Sequence, residues 1–259
     1  MRKLEHAYGS NIHILDDPFL NTLLTSLCVP STGQPRFNTL IRNVYESLIQ
    51  YLITSTYPAK KSNAKTRMAT EYPQAVLRSE VIDPNTATVV VDIARAGILP
   101  SQVCFDLLNG ILTPSLVRQD HLIMARKVDD ADKVIGATIS GSKIGGDIAD
   151  KVVLFPDPMG ATGGSLATAI EAYLKKGLGR PSRIVTLNLI VTPEFIKRIT
   201  EIDFEVEVYA LRLDRAMSSE RALDSVPGTY WNEESGLSPS AYIIPGGGGF
   251  GELMNNSWV

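Results

Sequence analysis

The sequence predicts an α/β chain built on a doubly wound, mostly parallel sheet. Two observations predict it. Short β-branched runs alternate with helical patterns from Thr86 onward, and each run passes into its helix through a turn of small residues or proline. A third observation concerns ligands: the turns fall at the carboxyl ends of the strands, where open sheets of this kind bind them.

The elements follow in order. From Arg36 to Leu52, apolar Phe37, Leu40, Ile41, Val44, Leu48, Tyr51 and Leu52 recur at spacings of three and four, the pattern of a helix covering one side of a sheet. "TATVVVDI" from Thr86 is a short strand ending near "ARAG". "LPSQVCFDLLNG" then reads as a helix with Pro100 in its first turn and Gly110 at its end. The strand Val152 to Phe155 leads into a helix with Leu166, Ile170, Tyr173 and Leu174 on one face, closed by Lys175, Lys176 and Gly177. "RIVTLNLIVT" is another buried strand, and Thr192 with Pro193 opens the helix "PEFIKRI". "FEVEVYAL" alternates Phe204, Val206, Val208 and Ala210 with Glu205, Glu207 and Tyr209, the period of a half-buried edge strand. His121 to Asp147 is polar with scattered glycines and reads as a hairpin arm, about 119–147, serving as a flap or subunit contact.

A chain of 259 residues suits one domain over 1–259. The formal net charge is -3, with no basic run longer than Lys60-Lys61, so the composition gives no support to a nucleic-acid partner. Cys28 and Cys104 lie in apolar helical contexts without metal-ligand spacing and read as buried free thiols of a reducing cytoplasm. The start "MRKLEHAYGS" lacks an apolar signal core, and no apolar run approaches the roughly 18 residues of a membrane span. No membrane partner and a cytoplasmic location are expected.

The chemistry concentrates in "KVVLFPDPMGATGGSLATAI", Lys151 to Ile170. The loop Gly160, Ala161, Thr162, Gly163, Gly164, Ser165 precedes a helix, so its N–H groups and the helix dipole converge on a phosphate, with the Thr162 and Ser165 hydroxyls beside them. It lacks the Gly-Lys-Ser/Thr of a Walker loop and the three spaced glycines of a dinucleotide fingerprint. Asp157, at the strand tip, is placed to accept hydrogen bonds from vicinal ribose hydroxyls. A ribose phosphate is the ligand these residues suggest; the competing reading is a capping Asp-Pro turn.

"VVLFPDPMGATGGS" resembles the phosphoribosyl diphosphate loop of uracil phosphoribosyltransferases, in which Asp-Pro-Met replaces the paired acids of most type I phosphoribosyltransferases. "VVVDIARAG" is similar to that family's strand and pyrophosphate loop, and "AYIIPGGGGFGE" to its base-binding segment. The resemblance runs from about Arg36 to Glu252 and implies a type I phosphoribosyltransferase fold with a projecting β-arm. It also implies a reaction: uracil and phosphoribosyl diphosphate give UMP and pyrophosphate. Magnesium is carried on the substrate's oxygens and no protein metal ligand is expected. By the same resemblance Arg95, Ala96 and Gly97 meet the pyrophosphate, Arg95 as a fixed cationic fork, and Arg126 in the arm also reaches it. Asp157 and Arg95 are the catalytic candidates. A dimer or larger homo-oligomer is implied.

Tyr242, Ile243, Ile244, Gly246, Gly248, Gly249 and Phe250 form the implied base site, acting mainly through backbone groups complementary to the acceptor-donor-acceptor edge of uracil. Two departures stand out. The family reads Pro-Gly, a variable residue, then Gly-Asp-Ala-Gly-Asp; here Gly249 takes the first aspartate's place and Glu252 the second's. Phe250 is either a stacking surface for a base or an apolar plug. Beside it lies "RAMSSERALDSVPGTYWNEESGLSPSA", about 215–241, longer than the corresponding family connection. Loops of that length serve as lids, contacts or disordered segments. A transferase for another base, or a non-catalytic nucleotide-binding regulator, are the rival readings.

Overall fold

A computed structural model describes residues 2–128 and 134–258, the side chains of 125–128 and 134–137 excepted. The first half carries β1 (Arg2–Lys3), β2 (Ile12–Asp16), α1 (Pro18–Cys28), α2 (Arg36–Thr56), β3 (Ala59–Lys65), β4 (Val76–Ile82), β5 (Thr88–Ala94), α3 (Ile98–Ile111) and β6 (Val117–Val128). The second carries β7 (Val134–Lys143), β8 (Val152–Pro156), β9 (Met159–Gly160), α4 (Gly164–Lys175), β10 (Arg183–Val191), α5 (Pro193–Thr200), β11 (Val206–Leu213), α6 (Glu220–Leu223) and α7 (Phe250–Asn255). The main sheet has the order β1-β2-β11-β10-β8-β5-β6-β7, with β9 also on β10. Its central pairings, from β2 through β11, β10, β8 and β5 to β6, are all parallel.

Helices cover both faces, as the unbroken apolar strands require. One layer is α1, α2 and α3 against Val90, Leu154 and Leu187; the other is α4 and α5 against Val89, Val153 and Phe155. The α2 face reads as its spacing predicts, with Phe37, Ile41, Val44 and Leu48 fully buried, and the helix continues to Thr56. Each such side chain contributes roughly 1.5–3 kcal/mol on burial, so this one helix is a main fastening of its layer. Among the described residues no helix is long and apolar enough to cross a membrane.

Three expectations are corrected and one feature is new. The strand at Val206–Leu213 is not an edge: β2 pairs beyond it, Ile12 opposite Val208. Its polar face is satisfied from the sheet itself, because Arg183 donates to both carboxylate oxygens of Glu207 (2.7 and 2.5 Å). The arm starts later than about 119, since β6 is a parallel member of the sheet as far as Ile123, opposite Ala94. Only beyond it do β6 and β7 run on as an antiparallel pair alone. Gly110 lies inside the last turn of α3, which closes with the Leu112 N–H on Leu108 O (2.8 Å). Finally, Ala59–Ile82 forms a separate two-stranded sheet, β3 with β4, that no periodicity announces.

The 215–241 segment is tied down rather than lid-like. Trp231 packs edge-on against Tyr8, ring centroids 5.0 Å apart, and donates from Nε1 to Pro193 O (3.2 Å). Glu234 accepts from Tyr8 Oη, from Arg215 Nη1 (3.0 Å) and from the Gly228 N–H (2.9 Å).

Candidate active site

The carboxyl ends of β5 and β8 open into one cavity of about 580 Å³, closed on the far side by residues 241–252. Asp157 leaves β8 at its floor. Its backbone is fixed on both sides, the N–H donating to Leu187 O (3.0 Å) and the C=O accepting from Asn188 Nδ2 (2.7 Å). Its Oδ1 accepts the Met159 N–H (3.0 Å), an Asx turn that aims the carboxylate into the cavity. Burial pushes the carboxyl up to about 6, against the opposing pull of that N–H.

The loop beyond it is fastened from below. Thr192 caps α5 by accepting the Phe195 N–H (3.1 Å), and its hydroxyl donates to Ala161 O (2.6 Å). Gly160 accepts the Thr192 N–H (3.0 Å), and a Cβ there would meet the Phe195 ring at 2.8 Å. Gly163 caps α4 in the left-handed region at φ 73°, where a side chain is strained. The Gly164 N–H turns back onto Thr162 Oγ1 (3.3 Å). The N–H groups of Thr162, Gly163, Ser165 and Leu166 find no acceptor among the described residues. With the α4 dipole they form an anion cradle. Ala161, Thr162, Gly163 and Ser165 line the cavity, whereas Gly160 and Gly164 lie behind it.

Opposite the cradle, Arg95 and Ala96 line the wall after a cis Ala94–Arg95 peptide. The Arg95 guanidinium is engaged by the chain's own tail, Nη1 donating to Ser257 Oγ (2.8 Å) and Ser257 O (3.3 Å). Gly97 does not serve as an open approach to a ligand. Its N–H donates to Ile93 O (2.9 Å), and a Cβ would lie 2.8 Å from Ile93 O and 3.1 Å from Pro156 O. The glycine lets two strand ends meet. The side chain of Arg126 lies outside the described residues.

On the base side the expected residues divide. Tyr242, Ile243, Gly248, Gly249 and Phe250 line the cavity; Ile244 and Gly246 do not. Gly246 has its N–H on Asp214 Oδ2 (2.8 Å) and its C=O on Arg212 Nη2 (2.8 Å). Arg212 and Asp214 are themselves a bidentate pair, at 2.6 and 2.8 Å. Ile244 donates to Gly236 O (2.8 Å), and Ser238 donates to Tyr242 O (2.8 Å). Those two bonds flank the Leu237–Ile243 bridge, so the N–H and C=O of Ile243 face away from Leu237 and have no partner among the described residues. Phe250 is 1% exposed and meets Phe37 edge-on at 5.1 Å, which makes it a plug in the cavity wall. Tyr242 stands at the rim, 63% exposed.

Gly249 and Glu252 are coupled. Gly249 caps α7, and a Cβ built on it would collide with Glu252 Oε2, so the Glu252 carboxylate fills the space a side chain at 249 would take. Both residues line the cavity, which therefore holds two carboxylates, Asp157 and Glu252. Among the described residues no group of three or more His, Cys, Asp or Glu is arranged to hold a metal ion.

Sequence reasoning missed Asn188, Arg212, Asp214 and Ser257, and found Thr192 as a helix cap but not its hold on Ala161.

Known proteins resemble this chain over most of its length. The sequence model of the family described as uracil phosphoribosyltransferase matches residues 14–229, ending before the base-side segment. A protein of Caldanaerobacter subterraneus subsp. tengcongensis named uracil phosphoribosyltransferase is 25% identical over 244 residues, 94% of this chain and 97% of its own length. One of the same name from Dictyoglomus thermophilum is 27% identical over 241 residues, covering 93% and 97%. Among solved structures, the AQ2163 protein from Aquifex aeolicus superposes with a TM-score of 0.68 at 21% identity, over 94% of this chain and 97% of its own. That likeness concerns the fold.

Proposed function

The chain belongs to the uracil phosphoribosyltransferase family, and from that premise we propose that it transfers phosphoribose from phosphoribosyl diphosphate to uracil in the cavity between the Asp157 loop and the 241–252 segment. The products are UMP and pyrophosphate. One observation supports the assignment of the site: Asp157, the unpaired N–H groups of the anion cradle, Arg95 and the base-side residues Ile243 and Gly249 line one cavity.

The roles follow from the chemistry. The cradle holds the 5'-phosphate, and the Asp157 carboxylate accepts from the ribose hydroxyls, fixing C1' relative to both neighbours. As the bond from C1' to the diphosphate oxygen breaks and the bond to N1 of uracil forms, charge grows on the leaving group, and the N1 proton passes to the departing diphosphate, directly or through water. Arg95, released from Ser257, meets that charge with a planar fork. On the base side, Ile243 has one N–H donor and one C=O acceptor to offer, while Ile244 and Gly246 act only as framework. Magnesium supplies charge neutralisation on the diphosphate when bound. Among the described residues lining the cavity, the carboxylates of Asp157 and Glu252 would offer such an ion hard oxygen donors, in addition to the substrate oxygens on which it is expected to ride. A cytoplasmic location and assembly of two or more copies belong to the same reading, the latter to be checked by light scattering.

Pyrophosphate release tests the function. Purified protein with phosphoribosyl diphosphate and magnesium should release pyrophosphate with uracil and not with cytosine, orotate or the purine bases. Release with a different base alone would move the specificity elsewhere, and no release with any base would refute the transferase reading.

A further inference from the structure

The 215–241 segment is not consumed by the proposed chemistry, yet it makes its most concentrated polar contact beside the active site. Glu194, in the first turn of α5, accepts three hydrogen bonds from it. Ser235 Oγ donates to Oε1 (2.6 Å), and the Gly236 N–H is shared between Oε1 and Oε2 (3.1 Å each). Gly236 has no room for a side chain, since a Cβ would collide with Asp214 O and lie 2.9 Å from Thr192 Cβ. Its own C=O accepts the Ile244 N–H, which starts the pairing that presents Ile243. On the opposite side, the residue two before Glu194 is Thr192, whose hydroxyl holds Ala161 of the anion cradle. One helical turn therefore grips the phosphate loop with Thr192 and the base segment with Glu194.

We infer that Glu194 is a positioning residue that sets the base segment against the phosphate loop, with the 215–241 segment serving as the strut between them. The inference rests on the reading that Tyr242 to Gly249 receives the base. Its physical basis is that an ionised carboxylate accepting from two donors, one of them shared between both oxygens, makes stronger hydrogen bonds than a neutral acceptor, and losing it leaves Gly236 held mainly by its contacts with Ile244 and Asp214. The phosphate loop keeps its own anchors, Thr192 and Asn188, so the damage should be one-sided.

The test is Glu194→Ala, with Ser235→Ala as the milder variant that removes one donor and guards against loss of the fold. Hydrogen exchange reads the structure, and titration with phosphoribosyl diphosphate reads the phosphate side. Exchange across 236–249 should quicken about tenfold or more, the change equivalent to one charge-assisted bond. Affinity for phosphoribosyl diphosphate should stay within about twofold of wild type, whereas the uracil KM should rise about tenfold with kcat little changed. Ser235→Ala should show the same pattern more weakly. Unchanged exchange over 236–249, or equal losses for both substrates, would overturn the inference. Wild-type protein inert with uracil would refute the uracil reading, while the exchange and titration results would still decide the role of Glu194.

Discussion

Asp157→Asn should stabilise the protein while disabling it. The carboxyl is raised by burial from an ordinary 3.8 to about 6, so folding favours its protonated form. At 1.36 kcal/mol per pH unit, holding Asp157 ionised at pH 7 costs the unliganded protein up to about 3 kcal/mol. Because the folded value lies above the unfolded one, this cost is absent below about pH 4, grows between about 4 and 6, and is complete above 6. Asparagine keeps an Oδ1 acceptor for the Met159 N–H but carries no charge, so it removes the cost without breaking the turn. At about 2–4 °C per kcal/mol for a chain of this size, thermal unfolding at pH 7 should shift upward by up to roughly 6–12 °C. The gap between variant and wild type should close by pH 4. Turnover should fall at least about tenfold, since the amide accepts hydroxyl donors less strongly than the ionised carboxylate. A melting temperature at pH 7 equal to or below that of wild type, or a gap constant from pH 4 to 7, would show that Asp157 carries no such burial cost.

The Gly249–Glu252 coupling predicts non-additivity. Glu252→Ala and Gly249→Asp should each lower turnover about tenfold, the first by removing a carboxylate and the second by forcing two into one space, while the double variant recovers to within about threefold of wild type. A double variant no better than the worse single one would show that the carboxylate at that point is not what matters. Arg95→Lys keeps a charge but loses the fork, so product inhibition by pyrophosphate should weaken more than uracil affinity; equal losses would argue against the assignment. Ser257→Ala removes a hydrogen bond that competes with the ligand for Arg95. The KM for phosphoribosyl diphosphate should therefore fall by a few-fold, and a rise would mean that Ser257 helps to aim the guanidinium.

What the sequence made legible was whatever repeats locally. The faces of α2 and α4, the strands at Val152 and Arg183, and the Thr192 cap all announce themselves through period or capping chemistry. The pairing of Ile12 with Val208 does not, because five residues near one end of the chain carry too little pattern to specify a partner almost two hundred residues away. Nor does the β3–β4 hairpin, where "AKKSNAK" is exposed along nearly all its length and so has no apolar face to mark a period. Glu207 misled in the opposite direction, since its charge suggested solvent at a position where Arg183 supplies the partner. In the site, the place of Asp157 at the cavity was legible because it joins an apolar strand to a small-residue loop; that its Oδ1 also accepts the Met159 N–H agrees with the turn reading as well. Gly246 was misassigned because the groups that claim its backbone, Arg212 and Asp214, lie more than thirty residues earlier.

The glycines of the three site segments show how the work is divided. Gly97 admits Ile93 and Pro156, Gly160 admits the Phe195 ring, and Gly249 admits the Glu252 carboxylate. Each provides close approach for another part of the chain, and of the three only Gly249 also lines the cavity. In the proposed site, binding capacity would fall to amides that the packing leaves unpaired, those of Thr162, Gly163, Ser165 and Leu166 for the phosphate and of Ile243 for the base. Substitution at Gly97 or Gly160 should accordingly cost stability before it costs affinity, because the clash is with the fold. On the proposed reading, base choice would depend less on the residues lining the cavity than on the frame behind them. Arg212 with Asp214 holds one end of the base segment, Glu194 through Gly236 holds the other, and the orientation of Ile243 between them is set by both.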